Sequence, residues 1–283
     1  MPPRDALTVR QRRLGAELRK LRERAGLTST AAAVTNGVNQ ARISNLEAGR
    51  YAVSAERVRT LARSYDAADQ ALIDALAAMA GRRDRHWWEE YREVLPTVML
   101  DIAELEQEAS GLRVALAVHM PGLLQTVDHA RALYRETVPA LEPYEVEHRV
   151  AFRVRRQGVL HGKRPMPYKV IIHEAALRLG CGGPTVARAQ LEHLMDMSER
   201  ENITVRVIPF GSGPFPGSGQ PIDYVYGPVP QLDTVTLDTD HGCEFLDAEA
   251  QLAKYRSVLD RLEETALTPE ASRDLMRRVA LDT

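Results

Sequence analysis

The residues best suited to chemistry stand together on one short segment, Gln40-Ala41-Arg42-Ile43-Ser44-Asn45-Leu46. On a helix with Ile43 and Leu46 turned inward, Gln40, Ser44 and Asn45 point largely outward, with Ala41 beside them and Arg42 at the margin. Glutamine and asparagine donate and accept together at an adenine edge, arginine bridges guanine O6 and N7, and alanine meets a thymine methyl. Such a face suits the major groove of DNA. The preceding residues supply what a helix-turn-helix needs. Ala33 is small enough for two helices to cross, Gly37 can form the turn four residues later, and Val38, Ile43 and Leu46 can seat the second helix. The plainer alternative is a small helical bundle with a solvated polar face. Charge argues against it. The 283-residue chain holds 37 Lys+Arg and 39 Asp+Glu, yet residues 1–66 hold 13 Lys/Arg against 6 Asp/Glu, a surplus of seven. A basic first quarter on an acidic body implies a polyanion at the N-terminal end.

The elements that position these side chains follow from apolar spacing and punctuation. Leu14, Leu18 and Leu21 mark one face of a helix over roughly 9–25, ended by Gly26. Thr28 can cap a second helix reaching about Asn36, and a third runs over about 39–48 and stops at Gly49. Ser54 caps a fourth with Val58, Leu61, Ala62 and Tyr65 inward, and a fifth follows Asp69 with Leu72, Ile73 and Leu76 inward. Residues 1–80 thus read as an all-α, five-helix DNA-binding domain. Residues 81–96, with both tryptophans and Tyr91, read as a connecting segment whose rings dock it onto a domain. From 97 to 283 the pattern mixes. Helical periods lie near 97–109, 121–136, 143–160, 185–199, 248–264 and 268–279. Strand-like runs lie at Arg113–Val118, Tyr168–His173, Ile203–Ile208, Asp223–Tyr226, Thr234–Leu237 and Cys243–Leu246. This predicts an α+β domain large enough for its own core.

The second domain offers little catalytic vocabulary. There is no P-loop pattern, His173-Glu174 lacks a second histidine four residues on, and GSGPFPG between Phe210 and Ile222 reads as a loop. Asp238, Asp240 and Gly242 lack the remaining positions of a calcium loop, so a plain turn is expected. His241 and Cys243 alternate on a strand without a third group, so a packed cysteine is expected. No cofactor, metal or catalytic residue is expected. The most interesting polar set is Arg149, Arg153 and Arg156 at i, i+4, i+7, with Gln157 adjoining. Two readings stay open: structural Arg–carboxylate pairs, with Glu174 and Glu244 at strand ends as further acids, or a pocket or face for an acidic partner or effector. Two cysteines fit a reducing cytoplasm, no run of 18 apolar residues suggests a membrane span, and the start lacks a signal peptide's apolar core.

Leu27-Thr28, Ala33, Gly37-Val38, Ile43-Ser44, Leu46-Glu47 and Gly49, preceded by LGAELRKLRERAGLT, resemble the lambda-repressor-like, or XRE-type, DNA-binding domain. The resemblance places Gln40, Ala41, Arg42 and Asn45 at base-reading positions, and Ser29, Asn39 and Arg50 at phosphate-contacting ones. Ala32 and Asn36 depart from it, standing where the family usually has large apolar residues. Further stretches, LEQEAS, PGLLQTVDHARAL, RVRRQGVL, IIHEAALR, QLEHLMDMS and ITVRVIPF, resemble the C-terminal domain of a large actinobacterial regulator family. That resemblance implies a transcriptional regulator, often paired with a small protein encoded beside it and in some members antitoxin-like. A homodimer on an operator is expected, since one recognition helix reads only a few base pairs. The competing readings are an antitoxin-like protein and a DNA-tethered enzyme.

Overall fold

The structure is a computed structural model that describes residues 7–81, 86–213, 215–217, 219–239 and 242–283. The chain divides into two compact units, Met1–Glu89 and Glu90–Thr283.

The first unit is all helical. Helix α1 (Val9–Arg24) starts with a reciprocal cap: Thr8 Oγ accepts from Gln11 N at 3.2 Å, and Thr8 N donates to Gln11 Oε1 at 3.0 Å. Helices α2 (Ser29–Thr35), α3 (Gln40–Glu47), α4 (Ala55–Ser64) and α5 (Gln70–Gly81) follow. Thr28 and Ser54 cap α2 and α4, and Asp69 Oδ1 accepts from Leu72 N at 3.0 Å at the start of α5. Leu14, Leu18, Leu21, Ile43, Leu46, Val58, Leu61, Leu72 and Leu76 are buried, as their helical spacing predicts.

The second unit is built on a mixed six-stranded sheet. Helix α6 (Thr97–Glu108) leads into β1 (Gly111–Leu116). Then come α7 (Val127–Arg135), α8 (Pro143–Arg156), β2 (Tyr168–His173), α9 (Glu174–Arg178), α10 (Pro184–Ser198) and β3 (Ile203–Ile208). Strands β4 (Ile222–Tyr226), β5 (Thr234–Thr239) and β6 (Gly242–Leu246) precede α11 (Glu249–Thr265) and α12 (Pro269–Asp282). The strand order is β3-β2-β1-β4-β5-β6. Strands β1, β2 and β3 are parallel, and β4, β5 and β6 antiparallel. Successive side chains alternate between two faces. One face joins Leu112, Val114, Val170, Ile172, Val205 and Val207 to α10 and α12. The other joins Ala115, Ile171, Tyr224, Val235 and Leu237 to Leu252, Leu259 and Leu262 of α11. Arg113 interrupts the buried strand β1, and Asp260 and Glu263 of α11 answer it at 2.6 Å each. An all-α first part and an α+β second part are thus observed.

Three expectations shift. The helix expected over 121–136 is a 3-10 turn, Gly122–Leu124, followed by α7, because Thr126 caps α7 and accepts from His129 N at 3.2 Å. The helix expected over 143–160 leaves α geometry at Arg156 and tightens into a 3-10 turn, Gln157–Leu160. Helix α9 was not expected; His173 Nδ1 accepts from Ala175 N at 3.1 Å and starts it at the end of β2. In the connecting segment, His86 stacks on Trp88 at 4.4 Å and Tyr91 lies edge-on to Phe152 of α8 at 5.0 Å. Residues 82–85 of that segment lie outside the described residues.

Candidate functional site

Helices α2 and α3 form the site, and backbone geometry sets the turn between them. Gly37 takes φ +62° after α2. Val38 N donates to Ala33 O at 3.0 Å and Gly37 N to Val34 O at 3.1 Å, the paired bonds that close a helix on a left-handed residue. Asn39 then caps α3, its Oδ1 accepting from Arg42 N at 2.8 Å. Gly49 closes α3 in the same way: Arg50 N donates to Asn45 O at 2.9 Å and Gly49 N to Leu46 O at 3.0 Å.

Helix α3 is seated by contacts that the sequence reading did not single out. A Cβ on Gly15 of α1 would stand 2.4 Å from Glu47 O, and one on Gly49 would stand 2.7 Å from Gln11 O. Any side chain at Gly15 would therefore push the C-terminal end of α3 off α1. Arg22 fastens the same junction. Its Nε and Nη2 reach the two Glu47 carboxylate oxygens at 2.6 and 3.0 Å, and its Nη1 donates to Leu27 O at 2.6 Å. Both side chains are largely buried. The Glu47 hydrogen bond and charge hold Arg22 above its ordinary pKa against burial. A glycine inside a helix disfavours that helix, so Gly15 was itself a signal of close approach.

With Ile43 and Leu46 buried, the opposite face of α3 is open. Gln40, Ala41 and Arg42 are exposed, and Ser44 and Asn45 half-buried. Gln40 Nε2 donates to Ser44 Oγ at 2.8 Å and Ser29 Oγ at 3.2 Å, which joins the starts of α2 and α3. Arg50 donates to Asn45 Oδ1 at 3.4 Å. Arg42 pairs with no carboxylate among the described residues. The structure thus brings Gln40, Ala41, Arg42 and Asn45 onto one face, with Ser29, Asn39 and Arg50 around it. Ala32 is fully buried. Asn36 Nδ2 donates to Ala32 O at 2.9 Å and to Ser64 Oγ at 3.0 Å, which ties the end of α2 to α4.

The arginine stripe of α8 is not one surface, which corrects the reading of Arg149, Arg153 and Arg156 together as a face. Arg156 is buried, and its Nε and Nη2 meet Glu106 of α6 at 2.8 and 2.6 Å. Burial works against its charge, but Glu106 outweighs burial and raises its pKa. Arg149 donates to Glu145 O at 3.2 Å. Arg153 donates to Tyr134 and Gln125, and Gln157 donates to Gln125 O at 2.7 Å. The suggested acids lie elsewhere: Glu174 pairs with Arg178, and Glu244 is exposed on β6. Near Glu106 lies Asp223 of β4, which burial and then the Glu106 charge push up to about 7. Cys243 is pushed up to about 12, chiefly by burial and then by Asp238. Asp240 and His241 lie outside the described residues.

Among the described residues no helix is long and apolar enough to cross a membrane. Neither the curated proteins nor the solved structures give a match to this chain. Two family models do match. Residues 13–76 match a helix-turn-helix domain, so the first unit is the DNA-binding part of a regulator. Residues 99–278, more than half of the sequence, match a domain of unknown function, and the chain therefore belongs to the family that this domain (DUF5753) defines.

Proposed function

We propose that the protein is a sequence-specific transcriptional regulator of the lambda-repressor-like, XRE type that reads its operator as a homodimer. Gln40, Ala41, Arg42 and Asn45 read base edges, while Ser29, Asn39 and Arg50 hold phosphates and fix register. The observation that carries this is the two-sided α3. Its apolar side is clamped to α1 by Gly15, Gly49 and the Arg22–Glu47 pair, and its polar side is open, with Arg42 uncompensated. The second unit works by binding an effector or small protein partner rather than by catalysis. A Cys243 thiol pushed up to about 12 is the opposite of a poised nucleophile and supports that reading.

The test is duplex binding by the full chain on a selected operator and on random DNA. Gln40→Ala or Arg42→Ala should cost about 1–3 kcal/mol on the operator and relax base preference. Arg50→Ala should weaken both duplexes alike and flatten the salt dependence by roughly one phosphate contact. Equal losses on both duplexes for Gln40 and Arg42 would refute base reading. A particle that stays monomeric on an operator with half-sites about 34–36 Å apart would refute the dimer.

A further inference from the structure

Arg149, Arg155 and Arg156 of α8 all have a carboxylate at hand. Arg149 lies 4.0 Å from Glu145, Arg155 pairs with Glu90, and Arg156 with Glu106. Arg153 is different. Its Nε donates to the Tyr134 hydroxyl at 2.8 Å, its Nη1 donates to Gln125 Oε1 at 2.8 Å, and its guanidinium lies 4.9 Å from the centre of the Tyr134 ring. All these partners are neutral, and no carboxylate lies within 4 Å of it among the described residues. A half-buried positive charge is left without a counter-charge, an arrangement that proteins rarely keep without use. Among the described residues Nη2 has no hydrogen-bond partner, and it is not sealed from solvent.

The guanidinium is also held in place. A Cβ at Gly122 would stand 3.3 Å from Nη1, so the glycine backbone lies close against it. The turn that carries Gly122 and Gln125 is fixed by three glutamines. Gln157 Nε2 donates to Gln125 O at 2.7 Å, Gln190 Nε2 to Leu124 O at 2.7 Å, and Gln125 Nε2 to Met120 O at 2.9 Å. Such second contacts are what hold a binding group in one pose. Within reach of the Arg153 charge on α7 is His129, only 5% exposed, whose Nδ1 is sealed from solvent and has no hydrogen-bond partner among the described residues. A buried polar atom left unpaired requires an explanation. Burial, then the charges of Arg153 and His119, push this imidazole down to about 4, so the ring is neutral near pH 7 and offers one N–H.

We propose that Arg153, with His129 beside it, receives the oxyanion group of a small anionic ligand, a carboxylate or a phosphate, between α7 and α8. The counter-charge missing from the protein is then supplied by the ligand, and the guanidinium edge is already oriented for it. The site suits a small molecule rather than a protein face, because Arg149 and His129 beside it are recessed. The proposal rests on reading the second unit as a binding unit.

The experiment is an NMR titration of the full chain carrying ring-labelled histidine, with the His129 signal identified by His129→Gln. The probes are inorganic phosphate and acetate, with chloride at matched ionic strength as control. Phosphate or acetate should move the His129 signal saturably, and chloride should not. Movement by phosphate alone identifies a phosphate ligand, and movement by acetate alone a carboxylate. Arg153→Gln should weaken the response by about tenfold or more, as loss of a charge-assisted contact does. Arg131→Gln, whose arginine is already paired with Glu147 and Asp128, should leave it unchanged. If Arg153→Gln does not fold, Arg153→Lys serves in its place and should bind measurably more weakly, since lysine lacks the planar fork. No saturable movement in the wild type, or equal movement in the Arg153 variant, overturns the proposal. The titration needs no DNA, so its failure leaves duplex binding standing, and a failure of duplex binding leaves the titration standing.

Discussion

Arg42 on α3 and Arg156 on α8 are both arginines of amphipathic helices, yet the molecule uses them in opposite ways. Arg42 is exposed and meets no carboxylate among the described residues. Arg156 is buried against Glu106, fifty residues earlier in the chain. The difference lies in what surrounds each helix. In the first unit, residues 28–49 define both helices, the turn and the inner face, so the outer face follows by elimination. In the second unit a sheet with three parallel and three antiparallel strands brings distant segments over α8, and periodicity on α8 does not say what arrives. A helical stripe of arginine identifies a face; only topology decides whether that face meets solvent or a carboxylate.

The sharpest way to break this comparison is Glu106→Gln. The substitution keeps the volume and removes the charge that answers Arg156. Breaking one partner of a buried pair costs about 3–5 kcal/mol, because the other charge stays buried and unpaired. Denaturant unfolding of the full chain should show that loss in the transition of the second unit. Duplex binding by the first unit should be unchanged below that transition. A cost under about 1 kcal/mol would mean that Arg156 reaches solvent or finds Asp223 instead, and the contrast with Arg42 would collapse.

Next in size is a pH effect centred on His129. Burial, then Arg153 and His119, hold its folded pKa at about 4, against an ordinary value of 6.5. The unfolded chain therefore takes up this proton first as the pH falls. The stabilisation is complete above about pH 6.5 and is lost down to about pH 4, amounting to about 3 kcal/mol at most. Asp223 runs the other way through much of the same window. Its folded carboxyl is raised to about 7, so the folded state gains as the pH falls. The wild-type curve alone thus conceals both. Stability of His129→Gln minus that of the wild type, measured from pH 7 to 4, should rise toward acid. A flat difference would show that the imidazole is not held neutral.

The legibility of the chain followed the same divide. In the first unit the sequence located the five helices, their caps at Thr28 and Ser54, and the inward set Ile43 and Leu46, because each rests on spacing within a turn or two. It passed over Gly15 and the Arg22–Glu47 clamp, which depend on two helices meeting. In the second unit all six strands were legible from their Val, Ile and alternating content, to within two residues at their ends. The partners of Arg156 and Arg113 were not, since Glu106, Asp260 and Glu263 come from other layers of the fold. Helix α9 escaped because its start depends on the His173 ring acting as the cap, a role that short polar side chains usually take. Of the polar set, Arg153 is distinguished by neutral neighbours, Tyr134 and Gln125, that come from other segments and that helical spacing does not indicate.

The smallest expected effect tests a second long-range polar contact of the first unit, beside the Arg22–Glu47 pair. Asn36 ends α2, and its Nδ2 bridges Ala32 O and Ser64 Oγ of α4. Removing the side chain orphans little. Ala32 O still accepts from Asn36 N at 3.1 Å, and Ser64 Oγ still donates to Leu61 O at 2.8 Å. With no buried group left unsatisfied, Asn36→Ala should cost only the net value of ordinary hydrogen bonds, about 0.5–1.5 kcal/mol. The α3 face stands on Ile43, Leu46 and the α1 clamp rather than on this bridge, so operator preference should be unchanged. Thermal melts of the wild type and Asn36→Ala, read beside duplex binding, give both quantities on the same samples. A loss above about 3 kcal/mol, or altered base preference, would show that the link from α2 to α4 positions the reading helix. The reading helix would then depend on this bridge as well as on the Arg22–Glu47 pair.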